Sequence, residues 1–119
     1  MTMKLKYICM ALMLTVSLSG NAQEVKIKKA DKAYDKYAYI DAIKTYERVA
    51  EKGYKDAEMF KKLGNAYYFN AELEKAERWY SELFAMDVDV EAEYYYRYSQ
   101  TLKATEQYDK ANAMLDKFN

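Results

Sequence analysis

Three alanines, Ala42, Ala76 and Ala111, recur at intervals of 34 and 35 residues. Each has a bulky residue three positions before it, Tyr39, Leu73 or Tyr108, and another four after it, Tyr46, Tyr80 or Leu115. Spacings of three and four put all three side chains on one stripe of a helix. A unit of this period has room for two helices and their turns, and it cannot bury its stripe alone. Neighbouring units must cover one another, so the spacing predicts a helix-turn-helix solenoid.

Composition supports helix throughout. From Gln23 to Asn119 there is no proline, and the only glycines are Gly53 and Gly64. No segment alternates with period two long enough to argue a strand. The reading is all-α, with six helices of about 12–16 residues. Breaks are expected around Lys36–Tyr39, Gly53–Asp56, Asn70–Glu72, Asp87–Glu91 and Ala104–Gln107. Connections this short force successive helices to lie antiparallel. Gly53 suits a left-handed helix end, and Asp56 and Asp89 are placed to cap the helices that follow.

The residues around these alanines resemble the tetratricopeptide repeat. The middle repeat carries the motif nearly whole, with Phe60, Leu63, Gly64 and Tyr67 on its first helix and Leu73, Ala76, Tyr80 and Leu83 on its second. The third matches with Tyr95, Tyr98, Ser99, Leu102, Tyr108, Ala111, Leu115 and Phe118. The first repeat matches on its second helix. On its first helix, a register of Ile27, Ala30 and Tyr34 gives a better apolar stripe than one that puts Lys26 and Lys29 inside. The proline that usually closes each repeat is absent, with Tyr54 and Val88 in its place. The resemblance implies a right-handed solenoid of about three repeats, covering 23–56, 57–91 and 92–119. Gly64, Ala76 and Ala111 are expected where paired helices cross, because a small side chain lets backbones approach.

Residues 1–22 read differently. Lys4 and Lys6 precede the apolar run Tyr7–Leu18, and the small residues of Ser19-Gly-Asn-Ala22 follow. These are the parts of a secretory signal peptide with a cut after Ala22. A run of about 12 residues rises about 18 Å as a helix, short of the roughly 30 Å hydrocarbon layer, so cleavage is preferred to a membrane anchor. A lipid-attachment reading fails because Asn21 stands where cysteine is required. Cleavage removes the only cysteine, Cys9, together with Lys4 and Lys6, and it leaves two more acids than bases. The expected location is the periplasm or the outer membrane.

The words Asp41–Ala57 and Lys62–Leu73 resemble the amino-terminal repeats of OmpA-family outer-membrane proteins of Bacteroidetes. In that family a signal peptide and tetratricopeptide repeats precede a propeller-like region and a peptidoglycan-binding domain, and some members serve gliding and type IX secretion. Neither later segment lies within this sequence, so their activities are not implied for it. The final helix has no capping helix after it, which suggests a truncation, a dimer surface or a junction, with Met114 and Phe118 left exposed.

Several function classes are disfavoured. The whole chain has 19 basic and 19 acidic residues, with no clustered excess for nucleic acid. It has no histidine, the usual neutral-pH acid-base group and commonest metal ligand. The alternation Asp87, Asp89, Glu91, Glu93 lacks the glycine turn and distal glutamate of a calcium loop. The expectation is a non-enzymatic interaction scaffold with no cofactor and no metal. Its partner is expected to be a protein or peptide of the cell envelope, not nucleic acid. Membrane contact would come only through a partner or a missing domain, and self-association would use the C-terminal helix.

In the family resembled, the first helix of each repeat lines the binding groove. Outward residues there are Asp31, Tyr34 and Asp35; Lys61, Asn65, Tyr68 and Phe69; and Tyr96, Gln100 and Lys103. Tyrosine offers large contact area with a polar tip at little rotamer cost. Lys61 and Asn65 also match the opening pair of a clamp for a peptide's terminal carboxylate, but Arg97 stands at the next clamp position in place of asparagine. In the run Tyr94-Tyr95-Tyr96 with Tyr98, packing is favoured over stacking on sugars or bases, and Trp79 is read as interhelical filler. The basic first helix, with Lys26, Lys28, Lys29, Lys32 and Lys36, is read as a solvated face rather than a lipid contact.

Overall fold

The computed structural model describes residues 22–119. The expected signal peptide falls outside the described residues, apart from Ala22. Six helices follow one another: α1 over residues 22–35, α2 Tyr39–Glu51, α3 Ala57–Phe69, α4 Leu73–Phe84, α5 Ala92–Ala104 and α6 Tyr108–Phe118. No strand occurs among the described residues. Each expected break is present, and the helices pair in sequence, α3 on α4 and α5 on α6, with α2 against α3 and α4 against α5.

The repeat is written into the backbone as well as the side chains. The turns inside the three hairpins each hold one residue in the left-handed region: Tyr37 (φ 61°), Ala71 (φ 61°) and Glu106 (φ 62°). In each, the next N–H reaches back over the helix end, Ala38 to the Ala33 carbonyl at 2.9 Å, Glu72 to Tyr67 at 2.9 Å and Gln107 to Leu102 at 2.8 Å. This is the Schellman closure, which satisfies carbonyls that the helix leaves unpaired. The turns between hairpins also hold a left-handed residue each, Gly53 (φ 90°) and Asp87 (φ 53°), 34 residues apart, without that closing bond.

The crossing points hold the expected small residues. Ala42, Ala76 and Ala111 are fully buried. A Cβ on Gly64 would stand 2.4 Å from Cε1 of the buried Tyr80, so α3 and α4 approach as closely as they do only because that position has no side chain. Tyr46, Val49, Leu63, Leu83, Tyr98 and Leu102 fill the spaces between helices. Trp79 is buried with its ring stacked on Phe60 at 6.0 Å, as filler should be. In the first repeat Ala30 is buried and Ile27 and Tyr34 pack against the core, which is the shifted register.

Two local expectations need correction. Asp56 caps α3, accepting from the Met59 N–H at 2.8 Å, but Asp89 caps nothing. Glu91 is the residue before α5, and its carboxylate goes to Lys61 instead of to a helix N–H. Leu115, on the stripe that neighbouring units are expected to cover, is only half-buried, because no further helix covers α6 among the described residues.

Candidate functional site

The first helices α1, α3 and α5 share one face, and its centre is Asn65. The Asn65 amide nitrogen donates to the Tyr34 hydroxyl of α1 and the Tyr94 hydroxyl of α5, each at 3.1 Å. Its carbonyl oxygen accepts from the Tyr80 hydroxyl at 2.7 Å and from Arg97 Nη1 at 3.0 Å. That uses both donors and both lone pairs of the amide. One side chain, 4% exposed, thus ties three helices of the face to α4 behind it. Burial raises the Tyr34 hydroxyl above the ordinary tyrosine pKa and raises that of Tyr80 much further.

Lys61 sits one turn earlier on α3 and is also buried, 6% exposed. Its ammonium lies 3.0 Å from Glu58 and 2.9 Å from Glu91. Burial alone would lower its pKa, but the two carboxylates outweigh that and raise it, while Lys61 in turn holds Glu91 below the usual carboxylate value. Neither member of the expected clamp pair therefore faces outward. Stacking of α5 across α3 encloses both, so the expectation that Lys61 and Asn65 lie outward on the groove is corrected.

The remaining groove residues divide by exposure. Asp31 accepts from the Tyr46 hydroxyl and pairs with Lys62 at 3.1 Å, so it too is engaged, whereas Asp35 is exposed. Tyr34 is half-buried, with the Lys62 ammonium over its ring. Tyr68 is half-buried between Phe69 and Tyr80. Phe69 is 47% exposed and Tyr96 43%, the latter packed on Phe118 at 5.6 Å. Gln100 is half-buried and Lys103 exposed.

Sequence reasoning missed two members of this face. Tyr39 stands between Tyr34 and Phe69, with ring centroids 5.6 and 5.8 Å away, and extends the aromatic surface onto α2. The Arg97 guanidinium lies 5.1 Å from the Phe69 ring and 5.4 Å from Tyr94 while bonding Asn65. A cation held between two rings fixes both. Its signal was visible as the one arginine on an aromatic helix. The result is a continuous surface running Tyr34, Tyr39, Phe69, Arg97, with Tyr96 beyond, whose polar anchors are already satisfied and whose apolar faces remain open.

Among the described residues, no group of three or more His, Cys, Asp or Glu side chains is placed to hold a metal, and no helix is long and apolar enough to cross a membrane. No protein-family model matches the chain, and no curated protein matches it. Solved structures do. PcrH, crystallised in complex with the chaperone binding region of PopB, superposes with a TM-score of 0.66 at 19% identity, over 82% of this chain and 78% of that one. The type III secretion translocator chaperone SycD of Yersinia enterocolitica gives 0.65 at 20% identity, over 86% and 75%. The C-terminal part of a TPR repeat-containing protein from Cytophaga hutchinsonii gives 0.65 at 18%, over 77% of this chain and 36% of that one. The periodic turns, the alanine crossings and these superpositions agree that the chain has a tetratricopeptide-like fold of stacked helical hairpins.

Proposed function

We propose that the chain is a protein-interaction scaffold without catalysis of its own, which holds a segment of a partner protein against the shared face of α1, α3 and α5. The observation that carries this reading is the open aromatic surface of Phe69 and Tyr96, backed by Arg97, Tyr39 and a fully satisfied Asn65. Large rigid aromatics with fixed surroundings are efficient anchors, because little entropy remains to be lost on binding. A fold of this kind holds a polypeptide segment in the PcrH complex, which supports the same use here.

Photoreactive groups at Tyr68, Phe69 and Lys103, introduced in the native cell, test the reading. Crosslinks to a protein partner at these positions are the expected result. Crosslinks confined to the neighbourhood of Phe118 would overturn it in favour of self-association through α6.

The finer reading places the scaffold in the bacterial envelope, exported by residues 1–22 to the periplasm or outer membrane. A still finer one makes it the front piece of an OmpA-family adaptor joining outer membrane to peptidoglycan, in the manner of gliding or type IX secretion machinery. Its support is the resemblance of Asp41–Ala57 and Lys62–Leu73 to that family. Fractionation separates the levels: recovery in the cytosol ends the envelope reading and leaves the scaffold reading intact.

A further inference from the structure

The flank of the first hairpin turned away from the second holds a cleft of about 320 Å³, lined by Lys29 and Ala33 of α1 and by Asp41, Lys44, Thr45 and Arg48 of α2. Its direction follows from Glu47, which accepts from Tyr67 of α3: helical periodicity puts Asp41, Thr45 and Arg48 on the other side of α2. The cleft is therefore separate from the aromatic face.

Its cations stand outside the ion pairs. The ion pairs formed among the described residues engage Lys61, Lys62, Lys75 and Arg97, and none engages Lys26, Lys29, Lys44, Arg48 or Lys52. Beside the cleft, Lys26 is held below the ordinary lysine value, first by the close approach of Lys52 and further by Arg48. Residues 22–56 carry nine basic against seven acidic side chains, whereas residues 57–119 carry eight against twelve. The fold thus gathers cations at one end of an otherwise acidic solenoid. Like charges so gathered repel, and a bound anion relieves that repulsion.

We propose that this cleft binds a phosphoryl group, with the Arg48 guanidinium and the Lys29 and Lys44 ammonium groups around its oxygens and the Thr45 hydroxyl as a further donor. Three cations from two helices suit a tetrahedral anion that presents oxygens in several directions, and the arginine fork matches two of them. Asp41 is the one acid in the lining, and the three cations outweigh it. The phosphoryl group belongs either to a soluble phosphate ester or to an anionic lipid headgroup. Only a lipid surface would also draw on the exposed Lys28, Lys32 and Lys36 outside the cleft.

The test uses the full chain, isotope-labelled for NMR, titrated with inorganic phosphate against sodium chloride at equal ionic strength. Phosphate-specific shifts are expected at the amides of Lys29, Lys44, Thr45 and Arg48, with affinity about tenfold weaker in Arg48→Gln. Lys62→Gln and Lys103→Gln, on the other face, should leave it unchanged. Shifts no larger than those in chloride, or shifts insensitive to Arg48→Gln, overturn the proposal. Vesicles of phosphatidylcholine with and without phosphatidylglycerol separate the sources. A preference for phosphatidylglycerol, lost in Arg48→Gln and weakened when Lys28, Lys32 and Lys36 become glutamine, assigns the headgroup. Phosphate binding without that preference assigns the soluble ester.

Discussion

Helices α3 and α6 are built from the same repeat chemistry, yet they live in different environments. Along α3, Met59, Phe60, Lys61, Leu63, Gly64, Asn65, Ala66 and Tyr67 are all buried; along α6 only Ala111 is. The difference is one of neighbours. Helix α3 is packed against α2, α4 and α5, whereas α6 rests on α5. In a stack of this kind burial is supplied by adjacent hairpins, so the central helix becomes a core helix on nearly every side and even its polar residues must find partners inside. The last described helix keeps one anchoring alanine and an outer face that no other described residue covers. Exposed apolar groups such as Phe118, 40% exposed, follow from that position.

Leucines on the inward stripes of two second helices, α4 and α6, give the largest test of the comparison. Leu83→Ala empties a fully buried site in α4 and should cost about 3 kcal/mol in chemical denaturation. Leu115→Ala, in α6, removes a half-buried side chain and should cost about 1 kcal/mol. Equal losses would mean that α6 is covered in solution, by a second copy or another segment. Hydrogen exchange should agree, with α6 amides opening at lower free energy than those of α3.

Next in size is Asn65→Ala. It strips the partner from three tyrosine hydroxyls and one guanidinium at once and should cost about 2–3 kcal/mol. Tyr94→Phe separates network from simple packing. It should cost about 1 kcal/mol in the wild type and almost nothing beside Asn65→Ala, a non-additivity that only a shared hydrogen bond produces. Additive losses would show that the amide does not organise the face.

Gly64→Ala should cost about 1 kcal/mol net, since overpacking against the Tyr80 ring exceeds what alanine gains in helix propensity. Ala30 and Ser99 hold the same small-residue place in the outer hairpins and are buried with their side chains present. A neutral Gly64→Ala, measured by thermal unfolding, would mean that the middle hairpin is no more tightly closed than the outer two.

The helices, their breaks and their crossings were legible because they depend on local periodicity and on small residues at fixed intervals. Ala42, Ala76 and Ala111 could be placed without knowing anything distant, and so could the register of Ile27, Ala30 and Tyr34. The face was legible only in part. Helical spacing correctly aligned Lys61, Asn65, Tyr68 and Phe69, but exposure is a tertiary property. The partners that bury Asn65 are Tyr34, Tyr94 and Arg97, separated from it by 31, 29 and 32 residues. Only stacking at a particular angle brings those groups together, and no spacing within one helix encodes that angle. Glu91 teaches the same lesson: its sequence position suggests a loop acid before a helix, while its carboxylate is spent on a lysine one repeat away.

The smallest expected effect is also the one that should ignore position in the stack. Tyr37, Ala71 and Glu106 all hold the left-handed conformation in their hairpin turns, and each is exposed, Tyr37 at 78%. A residue with a Cβ pays about 1–2 kcal/mol there, and glycine avoids that cost while losing up to about 1 kcal/mol of extra chain entropy. Replacement by glycine should therefore stabilise by about 0.5–1 kcal/mol at each turn, by about the same amount in the middle hairpin as in the outer two. The turn closure is identical in all three, so the gain comes from backbone geometry and owes nothing to the burial that separates α3 from α6. A gain at Ala71 but none at Glu106, read from denaturant midpoints, would mean that the last hairpin unfolds before the rest, so that strengthening its turn leaves the global transition where it was.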